Sequence, residues 1–268
     1  MKNRILFGTW QLGGDFTIIS DHTVKELLTI ALKNGINRFD TAKVYGNGRV
    51  EKLLGEVLPS NTQILTKIPA QSKPQIDQSF ETIDLCYPSM SVNDATYESL
   101  ANLKKRTLHT VLLHNWSRKW AGVIPPLAEL IALKERGVIE KIGISLPDGF
   151  CERMDKEICA HIDVIEAPYN HIESWIRNDI LWYQKFNIDV ILRSLFVQGL
   201  RIKPEEERKT LNENDVRIGK VKKIPFDPKG TVETIFTDVL SLNTSIVFGA
   251  TNPIHLIENL SFLKSKII

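Results

Sequence analysis

Asp40, Tyr45, Lys67 and His114 bring a carboxylate, a phenol, an ammonium and an imidazole to positions that invite one joint reading. Three of them close short apolar runs: Ile36-Asn37-Arg38-Phe39-Asp40, Gln63-Ile64-Leu65-Thr66-Lys67 and Thr110-Val111-Leu112-Leu113-His114. Tyr45 follows the first run on the glycine loop Gly46-Asn47-Gly48. A free tyrosine, with a pKa of about 10, is a poor acid at neutral pH, and a nearby cation makes its proton easier to donate. Lys67 can be that cation, Asp40 can hold the ammonium by a charge-assisted hydrogen bond, and His114 can donate to a substrate oxygen. Together they suit protonation of a carbonyl oxygen as a hydride reaches its carbon. Each also has a plainer reading, as a turn cap, a loop aromatic, a snorkelling lysine or a satisfied core histidine. Their placement on three successive strand ends favours the chemical one.

Strand-like and helix-like segments alternate along the whole chain. Ile5 to Thr9 reads as a strand; Thr23 and Glu26 have capping-box spacing, and Val24, Leu27, Leu28 and Ala31 form the apolar face of a helix that stops at Asn34-Gly35. Strand 36–40 precedes a helix carrying Val50, Leu53, Leu54 and Val57, and strand 63–67 precedes helical material from about 75 to 105. Strand 109–113 leads to a helix through Leu127, Leu130 and Ile131. Strands near 140–145, 162–166 and 188–192 follow, each with a helix after it, and a helix with Val232, Ile235, Phe236 and Val239 precedes strand 245–248. Eight βα units over 1–268, with no linker to divide them, predict one α/β domain closed as a (β/α)8 TIM barrel. In such a barrel, active-site groups come from the C-terminal strand ends and the loops beyond them. Adjacent strands lie about 4.8 Å apart, so Asp40, Lys67 and His114 come within reach if they share a face. His114 has the parity of Thr110 and Leu112, whereas His109 points the other way, so the two histidines cannot chelate one metal. No metal is expected. Lys203 to Lys223 is read as a solvated helix and loop rather than a functional flap.

The bulk composition excludes more than it proposes. Lys plus Arg exceed Asp plus Glu by two, so charge argues for neither a nucleic-acid nor a membrane partner. Cys86, Cys151 and Cys159 form no C-x-x-C pair, which fits a reducing compartment. With no signal-like segment at Met1 and no apolar run near the roughly 20 residues of a membrane span, a soluble, cytoplasmic protein is expected. There is no G-x-G-x-x-G after a strand, no G-x-x-x-x-G-K-[ST] and no H-E-x-x-H.

Several motifs resemble the aldo-keto reductases, enzymes that reduce carbonyls with nicotinamide cofactors in a (β/α)8 barrel. They are Phe7-Gly8-Thr9-Trp10-Gln11-Leu12-Gly13-Gly14, Gly35 to Ala42, Tyr45 to Gly48 with Glu51, Leu54-Gly55, Leu65-Thr66-Lys67, Leu112-Leu113-His114, Ile142-Gly143-Ile144-Ser145, and Gly249 to Pro253 with Glu258-Asn259. The resemblance covers essentially the whole chain and places the family's catalytic tetrad on Asp40, Tyr45, Lys67 and His114. It puts Gly8, Thr9 and Asp40 beside the cofactor, and Ser145 and Glu166 at the nicotinamide carboxamide. Glu166 stands where the family usually has glutamine, and Leu146 where it has asparagine. The loop Arg193-Ser194-Leu195 to Gly199 would cradle the pyrophosphate, with Arg193 replacing the tyrosine that stacks on nicotinamide. Gly249, Ala250, Thr251, His255, Glu258 and Asn259 would take the adenosine half, Asn259 against adenine. The lysine and arginine that grip a 2′-phosphate in many members are Gly249 and His255 here. NADP(H) is thus favoured by resemblance, with NAD(H) the alternative.

Trp10 and Trp116 are expected to line the substrate pocket. The family's barrel-plugging hairpin should be missing, and a short C-terminal part should leave the pocket open to a large or polar carbonyl substrate. The implied protein is an NAD(P)H-dependent reductase of aldehydes or ketones, a monomer or small homo-oligomer. The competing readings are a non-catalytic nicotinamide-binding barrel serving as redox sensor or scaffold, and a sugar or nucleotide-sugar carbonyl reductase in surface-polysaccharide synthesis.

Overall fold

The computed structural model describes residues 4–14, 18–209, 225–227 and 229–267, and residues 205 and 267 only in their backbone. Eight parallel strands pair in sequence order and close on themselves: β1 (Ile5–Gly8), β2 (Arg38–Asp40), β3 (Gln63–Ile68), β4 (Leu108–Leu113), β5 (Ile139–Ser145), β6 (Val164–Pro168), β7 (Asp189–Arg193) and β8 (Ser245–Phe248), with β8 back against β1. The chain is a (β/α)8 barrel.

The crossovers begin regularly. Helices α1 (Asp21–Lys33), α2 (Arg49–Val57), α3 (Ile83–Cys86), α4 (Ser91–Asn102) and α5 (Pro125–Glu135) cover the first five strands. The connections after β5 and β6 carry short helices, α6 (Lys156–Cys159) and α7 (Ile180–Gln184), and the described part of the one after β7 begins with α8 (Glu205–Lys209). Regular cover returns with α9 (Val232–Ser241) and α10 (Pro253–Ile267). Helix α1 starts about a turn before the expected capping box: Ser20 is the N-cap, and its side chain accepts from the Thr23 amide at 3.2 Å. Of the polar segment 203–223, residues 210–223 lie outside the described residues.

Alternation along the strands separates two cores. Outward residues such as Phe7, Phe39, Ile64, Val111, Ile144, Ile165, Leu192 and Phe248 pack under the helices. Inward, Leu6, Leu65, Leu112, Val164, Ile191 and Val247 form a separate apolar belt inside the barrel. Gly143 completes the belt without a side chain, because a Cβ there would meet the Val164 carbonyl oxygen at 1.9 Å.

Below the belt the barrel is closed by polar groups. Arg38 donates to Ser245 Oγ at 3.0 Å and pairs with Asp189 at 3.2 Å, and Ser245 in turn donates to Asp189. Among the described residues no strand precedes β1, and this network occupies the bottom that a hairpin would otherwise cover. No helix among the described residues is long and apolar enough to cross a membrane.

Because Arg38 is buried and donates to both Ser245 and Asp189, its removal takes the cation out of the network and leaves Ser245 and Asp189 only each other. Arg38→Ala is expected to lose roughly 2 kcal/mol of stability. Urea denaturation reads this directly, and an unchanged midpoint would rule out a structural role for the network.

Candidate active site

Two residues beyond the apolar belt, each strand turns one more residue inward at its C-terminal end. In strand order these are Gly8, Asp40, Lys67, His114, Ser145, Glu166, Arg193 and Gly249, and all eight line a single cavity of about 1330 Å³. The period of two carries the ring: Leu6 to Gly8, Leu65 to Lys67, Leu112 to His114, Val164 to Glu166, Ile191 to Arg193 and Val247 to Gly249. His109, of opposite parity, lines a separate small cavity with Lys105 and Glu140.

Lys67 organises the floor. Its buried ammonium contacts Asp40 Oδ1, the Thr41 carbonyl at 3.1 Å, the Tyr45 hydroxyl at 3.4 Å and Glu166 Oε2 at 3.5 Å. An ammonium has three protons to donate, so four oxygens compete for them. The Glu166 contact has ion-pair range only: both its carboxylate oxygens are buried and make no hydrogen bond.

Local structure explains how Tyr45 reaches this floor from a loop. Gly46 adopts φ +57°, and its amide lies so near Gly13 that a Cβ on Gly13 would come within 2.9 Å of it. Arg49 then ties the two loops, donating to the carbonyls of Leu12 at 3.1 Å and Ile19 at 2.8 Å. Behind Lys67, the buried Glu51 accepts from Thr66 Oγ1 at 2.7 Å and from Asn102 at 3.2 Å, which fixes β3 against α2 and α4.

Burial and charge set the protonation states. Burial raises the Tyr45 pKa above the ordinary phenol value; Lys67 pulls it down, but Asp40 and Glu166 add to the rise. Lys67 does act on Tyr45 in the expected direction, but desolvation outweighs the single cation and the net shift is upward. Burial opposes the Lys67 ammonium, yet Asp40 and Glu166 together hold its pKa above the ordinary value. Asp40 is raised by burial and by Glu166, with Lys67 opposing. Burial, followed by the charges of Lys67, Arg193 and Lys73, depresses His114 well below the usual imidazole range, so it is neutral and carries one N–H to donate. Its ring meets Tyr45 edge-on at 6.2 Å between centroids.

Arg193 is held at the rim, donating to Asp148 Oδ1 at 3.0 Å, Ser194 Oγ at 2.8 Å and the Leu146 carbonyl at 2.6 Å. The loop after it has left-handed backbone at Ser194, Val197, Gln198 and Gly199. For the β-branched Val197 that conformation is strained, as is common in loops held for binding. Ser194, Leu195 and Gly199 line the cavity, as do Ala250, Thr251, His255, Glu258 and Asn259 at the start of α10 and Trp10 after β1.

Two expected residues lie elsewhere. Thr9 is fully buried with the opposite parity, and its hydroxyl donates to the Asp40 carbonyl at 2.9 Å, so it pins β1 to β2. Trp116 is packed in the core, edge-on to Trp120 at 5.6 Å, with its indole N–H donated to the Trp120 carbonyl, and it does not line the cavity.

Other lining residues escaped the sequence reading: Gln11, Lys73, Gln75, Asn115 and Asp148. Ile202, Lys203 and Glu207 also face the cavity, so the start of the polar segment borders the site rather than bulk solvent alone. Only the glycine pattern beside Gln11 offered a signal, since Gly249 leaves room for the Gln11 amide, which bridges the carbonyls of Gly8 and Ala250.

The barrel with this ring of strand-end groups defines a class, and the comparisons agree. A model of the aldo/keto reductase family matches residues 4–266, and the chain belongs to that family. It is 27% identical over 225 residues to aldo-keto reductase YhdN of Bacillus subtilis, a match covering 80% of this chain and 65% of that relative. The chain thus spans just under two thirds of that protein. Among solved structures it resembles the glycerol dehydrogenase AKR11B4 of Gluconobacter oxydans, with 24% identity, a TM-score of 0.70 and coverage of 97% and 85%. It also resembles an aldo-keto reductase of Klebsiella pneumoniae in complex with NADPH, at 19% identity, a TM-score of 0.65 and the same coverage.

The raised phenol is directly measurable. Ultraviolet difference titration of wild type against Tyr45→Phe should show no phenolate from Tyr45 below pH 10. A midpoint below 9 would mean that Lys67 prevails over burial.

Proposed function

We propose that this chain is an NAD(P)H-dependent reductase of aldehydes or ketones. The observation that carries the reading is the Tyr45 hydroxyl 3.4 Å from a buried ammonium that two carboxylates hold, in a cavity large enough for a dinucleotide and a substrate.

The residues present fit a nicotinamide cofactor. Glu166 keeps two buried acceptor oxygens without hydrogen-bond partners, and a carboxamide NH2 group offers donors for them. Ser145, its strand neighbour in register, lines the same wall. Gly199 and the Gly249–Thr251 turn would hold the pyrophosphate, and the α10 residues His255, Glu258 and Asn259 the adenosine. Bound nicotinamide supplies the hydride.

The protein's own residues do the rest. A carbonyl oxygen between Tyr45 and His114 accepts two hydrogen bonds, so negative charge developing there is met by a phenol and a neutral imidazole N–H. Tyr45 gives its proton to that oxygen as the carbon is reduced. Lys67 stabilises the phenolate left behind, and Asp40 keeps Lys67 charged and in place.

At the mouth, Lys73, Gln75, Asn115 and Asp148 surround the entrance with polar groups. Such an entrance suits a hydroxylated substrate and favours sugar-like carbonyl compounds over apolar aldehydes. Neither Gly249 nor His255 offers the lysine or arginine fork of a 2′-phosphate site, so NADH is expected to serve alongside NADPH.

Fluorescence titration with NADPH and NADH tests the cofactor half, with binding expected well below millimolar. Tyr45→Phe should bind cofactor normally and lose at least about 100-fold in kcat for aldehyde reduction. Failure of both cofactors to bind would sink the reading; full turnover by Tyr45→Phe would sink the role of the phenol alone.

A further inference from the structure

Glu166 gives the hydride site a charge that its proton-transfer groups do not need. Asp40 alone is enough to anchor Lys67, through the closest contact the ammonium makes. Glu166 adds a second carboxylate on the opposite side, fully buried, 3.5 Å from the same nitrogen and without a hydrogen-bond donor of its own. Around the floor Asp40 and Glu166 face Lys67 and Arg193, with Asp148 and Lys73 further out, so carboxylates and cations balance only with Glu166 present. Arg193 is hydrogen-bonded at the rim by Asp148 and the Leu146 carbonyl, and Glu166 acts on its charge without a hydrogen bond.

A nicotinamide ring is positively charged when oxidised and neutral when reduced. Any ring that delivers hydride to a carbonyl at Tyr45 must rest over this floor, because reacting atoms approach within about 3.5 Å. The Tyr45 hydroxyl itself lies no more than about 7 Å from Glu166 Oε2, since Lys67 Nζ stands between them. At such separations in a partly buried site, a unit charge changes binding of a cation by about tenfold or more.

We propose that Glu166 is a specificity-determining residue for the redox state of the cofactor, its buried carboxylate favouring the oxidised nicotinamide over the reduced one. The inference rests on the reading of this cavity as a nicotinamide site. A glutamine at this position would offer an acceptor to the carboxamide without the charge. Glu166 therefore makes the site hold oxidised cofactor better, relative to reduced, than a neutral side chain would.

The test is a set of dissociation constants for NAD+, NADH, NADP+ and NADPH, measured by equilibrium titration of wild type, Glu166→Gln and Glu166→Asp. Wild type is expected to bind the oxidised forms at least as tightly as the reduced ones. In Glu166→Gln the ratio should shift toward the reduced forms by about tenfold, while Glu166→Asp, which keeps the charge, should stay near the wild-type ratio. Equal weakening of both redox states in Glu166→Gln, or no change, overturns the proposal and leaves the reductase reading intact. Should Glu166→Gln not fold, a wild type that prefers the reduced forms by more than tenfold overturns it alone. Absence of any binding to wild type overturns the reductase reading itself, and this inference with it.

Discussion

A lysine ammonium buried among two carboxylates and a phenol is the constraint on which the rest of this barrel turns. An isolated buried charge is prohibitively unfavourable, and Lys67 is balanced by Asp40 on the neighbouring strand, with Glu166 facing it from across the barrel. That requirement fixes the register of β2, β3 and β6 at their C-terminal ends. It also brings Tyr45 inward, because its hydroxyl is one of the oxygens that complete the ammonium's shell. The same crowding that stabilises Lys67 raises the Tyr45 pKa, so the phenol keeps its proton.

Outside this centre the structure divides the work between rigid and adaptable parts. Strand ends hold the groups that need fixed separations, backed by contacts such as Glu51 with Thr66 on the outer face of β3. Loops after β1, β3, β5 and β7 shape the entrance, and there the polar side chains Gln11, Lys73, Asp148 and Gln198 collect. The strained turn after Arg193 belongs to this second group, as expected where backbone must follow a ligand rather than a core. The neutral state of His114 links the two parts, since burial and three nearby cations act on it together.

Most strands were legible because buried parallel strands read as apolar runs, and their alternation predicts which side chains share a face. His114 and His109 separated as parity requires. The helices after β5 and β6 were less legible, because each is only about a turn long, too short for an apolar period to show. Thr9 and Trp116 were misplaced for a related reason. A threonine or tryptophan next to a catalytic strand end looks exposed to the site in one dimension, but Thr9 has the outward parity and Trp116 finds its indole acceptor within its own loop, at Trp120.

The sequence by itself pointed to the barrel and to Asp40, Lys67 and His114 at the ends of neighbouring strands, because the alternation of strands and helices and the period of two within a strand are local properties of the chain. Only the tertiary structure decided that Glu166 reaches the same nitrogen as Asp40, that Asp148 restrains Arg193, and that burial outweighs Lys67 at Tyr45. These outcomes depend on distances between segments up to 126 residues apart, as between Asp40 and Glu166, and on how much water the closed barrel excludes. Neither quantity is written in any one stretch of sequence.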